Sequence, residues 1–291
     1  MGKTTTEMKL VPLEKLVPYV NNARTHSPEQ VMKLRSSLRE FGFINPVIID
    51  KDYGIIAGHG RVLAAKEEGI EEVQELLRKL RHAGAKSDAT RGCGVHIHIG
   101  ANGHTPQTLR NLANIMASHE SLLADALNLD RGRMNRYCRT VDPRFLQNLN
   151  RRKPCTMAQL ADIWYTSQNA TYGRSQHYND SRYHMLNYHA TFTKGTIEFR
   201  LFQFDAPANG KLNGLHAGQL KSYIQLCLAL SQMAKTVKTA SPRPQQNENP
   251  KYAMRTWLLR LGFIGEEFAT AREILTKRLA GDTAFRRSRA A

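Results

Sequence analysis

Two short segments of this 291-residue chain alternate apolar and polar residues so regularly that each reads as a strand: Val95-His-Ile-His-Ile-Gly100 and Thr196-Ile-Glu-Phe-Arg-Leu-Phe202. Successive side chains on a strand point to opposite faces. Val95, Ile97 and Ile99 therefore share one face, and His96 and His98 the other. In the second segment Ile197, Phe199 and Leu201 turn inward while Glu198 and Arg200 stand together opposite. Two imidazoles on one strand face suit a metal or a phosphate. Glu198 and Arg200 admit two readings: an exposed ion pair of little energetic weight, or a hard-metal carboxylate beside an arginine that neutralises a phosphoryl oxygen. Cys93 has the wrong parity to join the imidazoles. Cys93, Cys138, Cys155 and Cys227 lack CxxC spacing and read as free thiols of a reducing compartment.

The charge is unevenly divided. The chain carries a net +17, yet residues 1–72 hold ten basic and ten acidic side chains, so residues 73–291 carry the whole excess. Two different units are expected, the second suited to an anionic partner, with nucleic acid among the candidates. Its densest stretch, Arg131 to Lys153, sets eight basic residues against Asp142 alone, as a solvated face or an anion site. Before it, Thr105 caps a helix expected over Pro106–Leu129, with Leu109, Leu112, Met116 and Leu123 on its core face. Tyr172 to Tyr188 is rich in Tyr, His and Arg, which fits base stacking or an interfacial loop. No apolar run is long enough to span a membrane, and the start MGKTTTEMKLVP lacks the apolar stretch of a secretory signal. A cytoplasmic protein with no membrane partner is expected.

In the first unit, Ser27-Pro28-Glu29-Gln30 reads as a capped helix start, with Val31, Leu34, Leu38 and Phe41 at helical spacing and Gly42 as the stop. Residues 46–50 and 53–57 read as strands joined at Lys51-Asp52, and Val62–Glu68 as a helix closed by Gly69. The join from Gly69 to Leu80 reads as a solvated helix continuing to Gly84. Gly58-His59-Gly60-Arg61 lies at the strand-to-helix turn, where helix-end N–H groups and a guanidinium suit a phosphate. The same glycines also fit a plain tight turn.

In order, LVPYVNNARTHS, LRSSLREFGFINPVIID and YGIIAGHGRVLAAKEEGI resemble the ParB-like (ParB/sulfiredoxin) domain over nearly all of residues 8–72. That resemblance implies DNA-linked or nucleotide partners and CTP as a ligand at Gly58, His59, Gly60 and Arg61, although the turn reads GHGR where CTP-using members commonly have GERR. The second unit resembles the amidoligases, relatives of the glutamine synthetase-type carboxylate–amine ligases. CGVHIHIG, Asn135-Arg136-Tyr137-Cys138, the Arg182–Tyr188 element and GTIEFRLF with its following helix carry the likeness. It implies ATP and magnesium (Mg), a carboxylate substrate and an amine substrate. It also implies His96 and Glu198 on metal, His98 on the phosphoryl group, Arg200 on the transferred phosphate or the carboxylate, and Arg136 on nucleotide or substrate. Such ligases begin with a GxExE-like strand that supplies further metal ligands; here the ParB-like unit takes that place, so an incomplete metal set is expected.

The fold class expected is α+β: a small ParB/sulfiredoxin-like unit over 1–72, then a larger unit of antiparallel sheet and helices. The latter divides into a core over 73–238, a polar linker or loop over 239–250 and a helical part over 251–291.

Overall fold

The computed structural model describes residues 11, 13–18, 26–41, 47–206, 214–244 and 248–284. Within them the chain forms two compact units, Met1–Glu72 and Val73–Ala291. Both mix helices with small antiparallel sheets, so the α+β expectation is borne out.

The first unit contains helix α1 (Pro28–Phe41), strands β1 (Ile48–Ile49) and β2 (Ile55–Ala57), and the start of helix α2 (His59–His82). The Ser27 hydroxyl accepts the Gln30 N–H at 3.2 Å, as the capping pattern requires; the proposed stop at Gly42 lies outside the described residues. The β1–β2 turn is built on Asp50, whose Oδ1 accepts N–H groups from Asp52 at 2.8 Å and Gly54 at 2.7 Å. A side chain at Gly54 would displace that carboxylate from the turn. Leu16, Ile55 and Val62 form a small core.

Helix α2 differs from expectation. It begins at His59 and passes through Gly69 to His82, 24 residues without a break. A glycine inside a helix costs only about 1 kcal/mol, and apolar contacts on either side outweigh that. The segment after Gly69 is also not wholly solvated. Leu77 is buried against Phe204 and Leu215, and Gln74 Nε2 donates to the Ala217 carbonyl at 2.9 Å.

The second unit centres on a three-stranded antiparallel sheet of β3 (Val95–Gly100), β4 (Leu186–Asn187) and β5 (Thr196–Phe202), ordered β3-β5-β4. Its main helices are α3 (Pro106–Leu127), α4 (Arg131–Tyr137), α5 (Pro143–Arg152), α6 (Met157–Ser167), α7 (His189–Lys194), α8 (Ala217–Thr236), α9 (Pro250–Arg260) and α10 (Ala269–Thr276). Local chemistry sets several boundaries. Thr105 and Thr108 make a reciprocal capping box at α3, Thr156 and Gln159 another at α6, and Asp142 caps α5 ahead of Pro143. Ile97, Ile99, Ile197, Phe199 and Leu201 pack against Leu109, Leu112, Met116 and Leu123 of α3 and Leu226 and Leu230 of α8 in one continuous core. Between α8 and α9, the Lys238 and Ala240 carbonyls accept from Gln107 and Asn114 of α3, which pins the start of the polar segment; residues 245–247 lie outside the described part. Among the described residues no helix is long and apolar enough to cross a membrane.

Glu120 is the least expected core residue. It is 4% exposed on α3, and both carboxylate oxygens accept the Val141 N–H at 3.0 Å. Among the described residues no cation is paired with it. Burial pushes its carboxyl from 4.5 up to about 7, against the Val141 hydrogen bond. The folded state thus holds this proton more tightly than the unfolded chain. The resulting stability, about 3 kcal/mol, is complete below the unfolded value and lost as pH rises through about 7. The melting temperature should fall between about pH 5 and about pH 8, and Glu120→Gln, which keeps an acceptor for Val141 without the charge, should flatten most of that slope in a thermal-denaturation series.

Candidate functional site

Register brings four predicted residues, His96, His98, Glu198 and Arg200, together and adds Asn187. Asn187 of β4, Glu198 of β5 and His98 of β3 are direct cross-strand neighbours. One step along, Val95 pairs with Phe202 and Ile97 with Phe199, so Arg200 and Leu201 both stand opposite His96 in a β-bulge. The extra residue re-aims Arg200 toward Glu198 and His96.

All polar groups of this face converge on one carboxylate. Glu198 Oε1 accepts from Arg200 Nη1 at 2.7 Å and lies 3.2 Å from His96 Nδ1 and 3.5 Å from His98 Nε2. Oε2 accepts from Asn187 Nδ2 at 2.6 Å. The Glu198 and Arg200 side chains are 3% and 4% exposed, whereas His96 and His98 are 35% and 36% exposed. The exposed ion-pair reading of Glu198 and Arg200 is therefore corrected. Their sheet face is covered, because Arg200 lies over the Tyr183 ring at 5.5 Å and donates through Nε to the Tyr137 carbonyl at 3.4 Å. Two imidazoles form the open surface above a buried ion pair.

Burial acts to raise the Glu198 carboxyl; the His96 hydrogen bond, the Arg200 charge and the Asn187 hydrogen bond outweigh it and hold the group ionised, well below the usual carboxylate range. Burial lowers His98, with Glu198 pulling the other way and Lys194, His96 and Arg200 adding to the depression. His98 Nδ1 also contacts Thr196 Oγ1 at 2.9 Å, which leaves Nε2 facing Glu198.

Three supporting residues were not singled out by pattern. Asn187 is itself fixed, since its Oδ1 accepts the His189 N–H at 2.8 Å. His189 Nε2 donates to the Gln176 carbonyl at 2.9 Å, so its Nδ1 accepts from the Tyr165 hydroxyl at 2.7 Å. Arg133, counted above within a basic run, is buried: its guanidinium donates to the Arg200 carbonyl at 2.6 Å and the Leu201 carbonyl at 3.0 Å and thereby caps the bulge. Tyr183 covers Arg200. Tyr183 and Asn187 lie in the Arg182–Tyr188 element that carries the amidoligase likeness, whereas Arg133 had only the basic run as a signal.

Arg136 is exposed, with its guanidinium 5.2 Å from the Tyr137 ring centre, beside the residue whose carbonyl Arg200 binds. Gly58, His59, Gly60 and Arg61 lie in the first unit. Gly58 has φ +105°, and its carbonyl accepts the Arg61 and Val62 N–H groups at 3.0 and 3.1 Å. A side chain at Gly60 would meet His26 and Leu34 within about 3 Å. Conformation and close packing account for both glycines.

The donor set does not suit a protein-held divalent cation. Among the described residues no three His, Cys, Asp or Glu side chains are gathered as a metal set. A hard cation takes several oxygens; this face offers one carboxylate, already neutralised by Arg200. Magnesium bound by these side chains alone does not fit.

Comparison with known proteins bears on both units. A family model described as "Putative amidoligase enzyme" matches residues 62–231, and one described as "ParB N-terminal domain" matches residues 2–90. The chain belongs to the amidoligase family and carries a ParB N-terminal domain. The two resemblances drawn from motifs are thus borne out. The ParB-domain region is 56% identical over 73 residues to the ParB-like nuclease domain-containing protein YnaK of Escherichia coli (strain K12), covering 24% of this chain and 84% of that protein. An uncharacterized protein, ORF326b, of Acidianus two-tailed virus is 46% identical over 52 residues, 17% of this chain and 16% of its own length. No solved structure matches the chain. The amidoligase match spans the entire His96–Glu198–Arg200 face.

The buried pair makes this face sensitive to single substitutions. Arg200→Met leaves Glu198 charged and uncompensated, and should cost about 3–5 kcal/mol in urea unfolding. The double variant Glu198→Leu/Arg200→Met, which removes both charges, should recover most of that loss.

Proposed function

We propose that the second unit is an ATP-dependent carboxylate–amine ligase whose phosphoryl group is received on the His96–His98 edge. The observation that carries this reading is the pair of half-exposed imidazoles held over a buried, ionised Glu198–Arg200 pair, within a domain of the amidoligase family. A substrate carboxylate oxygen attacks the terminal phosphorus of ATP and ADP leaves. The amine then attacks the acyl carbon, phosphate leaves, and the proton shed by nitrogen passes to a base. His98, whose proton affinity burial lowers, contacts the phosphoryl oxygens and takes that proton. Glu198 orients both imidazoles, and Arg200 supports Glu198 from beneath while its fixed charge favours phosphoryl oxygens above. Arg136, exposed at the rim, is assigned to nucleotide or substrate. Magnesium enters this reading only as part of the MgATP substrate.

A second reading places function in the ParB domain, with CTP at Gly58–Arg61 or DNA as partner. The ParB match and the likeness to YnaK, a ParB-like nuclease domain-containing protein, favour it.

Calorimetric titration with ATP and CTP, with and without Mg²⁺, tests both. The ligase reading expects Mg-dependent ATP binding that weakens by about tenfold or more in His98→Ala and is unchanged in Arg61→Ala. No ATP binding, or full binding in His98→Ala, overturns it. CTP binding lost in Arg61→Ala moves nucleotide recognition to the first unit.

A further inference from the structure

One surface of the second unit is explained neither by the core nor by the His96–Glu198 face. Tyr172 is 91% exposed, Tyr178 74% and Tyr137 41%. Tyr137 and Tyr178 belong to a continuous series with arginines. The Arg136 guanidinium lies 5.2 Å from the Tyr137 ring, Tyr137 meets Tyr183 edge-on at 6.2 Å, and the Arg182 guanidinium lies 5.8 Å from the Tyr183 ring and 5.4 Å from that of Tyr178. His177 adds a further ring 4.7 Å from Tyr178. Arg139, also exposed, donates to the Tyr183 and Asp180 carbonyls beside the series.

Composition identifies the kind of partner. Residues 131–194 hold eleven basic side chains against three acidic ones, so the surroundings attract an anion. Over the same span the exposed large apolar side chains are Tyr137, Met157, Tyr172 and Tyr178, with no exposed Leu, Ile, Val or Phe. A membrane-binding face would present Leu, Phe or Trp anchors, which this span does not expose. Flat rings alternating with guanidiniums instead suit bases and phosphates together. A duplex hides its base faces in its own stack, whereas an unpaired strand offers them. A free nucleotide needs one ring; here two exposed rings, Tyr137 and Tyr178, are joined through the half-exposed Tyr183.

We infer that the Tyr137–Tyr183–Tyr178 surface, with Arg136, Arg139 and Arg182, binds single-stranded nucleic acid. Bases stack on the exposed tyrosines, and phosphates are met by the intervening arginines. The inference does not rest on the ligase reading, and either can fail without the other.

Fluorescence anisotropy of the full chain with labelled oligothymidylate, oligouridylate and a DNA duplex, each of about 20 nucleotides, tests it. The single strands should bind more tightly than the duplex, with affinity falling as salt rises; the two single strands separate DNA from RNA as the source. Tyr178→Ala should weaken single-strand binding about tenfold, whereas Tyr178→Phe, which keeps the ring, should retain it. Tyr178 is mostly exposed, so both variants should melt with the parent. Equal affinity for duplex and single strand, no strand binding, or unchanged binding in Tyr178→Ala would overturn the inference. So would loss of ATP affinity in Tyr178→Ala without any strand binding, which would give the tyrosine to the nucleotide of the ligase reaction.

Discussion

A carboxylate placed at the centre of a protein must be paired and hydrogen-bonded or it gives up its charge. Glu198 keeps its charge, and much of the second unit is arranged around that demand. Arg200 supplies the counter-charge from the same strand, two residues on, and can do so because the bulge opposite His96 turns it back toward the carboxylate. The bulge leaves the Arg200 and Leu201 carbonyls facing the interior, and Arg133 satisfies both. Asn187 takes the remaining carboxylate oxygen and is itself held by the His189 backbone. Each group is present because the previous one would otherwise be left unpaired.

The contrast with Glu120 is instructive. Both acids are nearly fully buried in the same unit, yet one is driven below the ordinary carboxylate range and the other pushed up to about 7. Glu120 has a single backbone N–H and no cation, so desolvation wins. Glu198 has a guanidinium, an amide and two imidazoles, so desolvation loses. Burial alone does not decide the charge of a core acid; the number and sign of its partners do.

The strands were legible because alternation with period two is a strong signal, and it places His96, His98, Glu198 and Arg200 on one face of a shared sheet, whereas the pairing of His98 with Glu198 is set by register. Which side of that sheet faces water was not legible. Period-two patterning places Glu198 and Arg200 on one face but cannot say that Tyr183 and Tyr137 will cover it, because those residues arrive from distant parts of the chain. Arg133 was hidden for the opposite reason. It sits in a run of arginines that composition alone assigns to solvent, and only the tertiary fold distinguishes the one that turns inward. Gly69 misled through propensity: a helix-weakening residue suggested an end where contacts on both sides carry α2 onward to His82.

The depth ordering of the site also has a chemical consequence. Arginine and glutamate lie beneath while histidines lie above, so a ligand approaching from solvent meets imidazole nitrogens first and the guanidinium only as a field. Direct contact with Arg200 would require displacing Glu198 or Tyr183, and either movement uncovers a charge that the interior holds at considerable cost. The proton-exchanging and hydrogen-bonding work at this surface therefore falls to His96 and His98, with Arg200 as a positioning residue. A guanidinium placed to grip a phosphate directly would need an open approach, which Arg136 and Arg139 have beside the tyrosine series, with Arg200 and Tyr183 linking that series to the sheet.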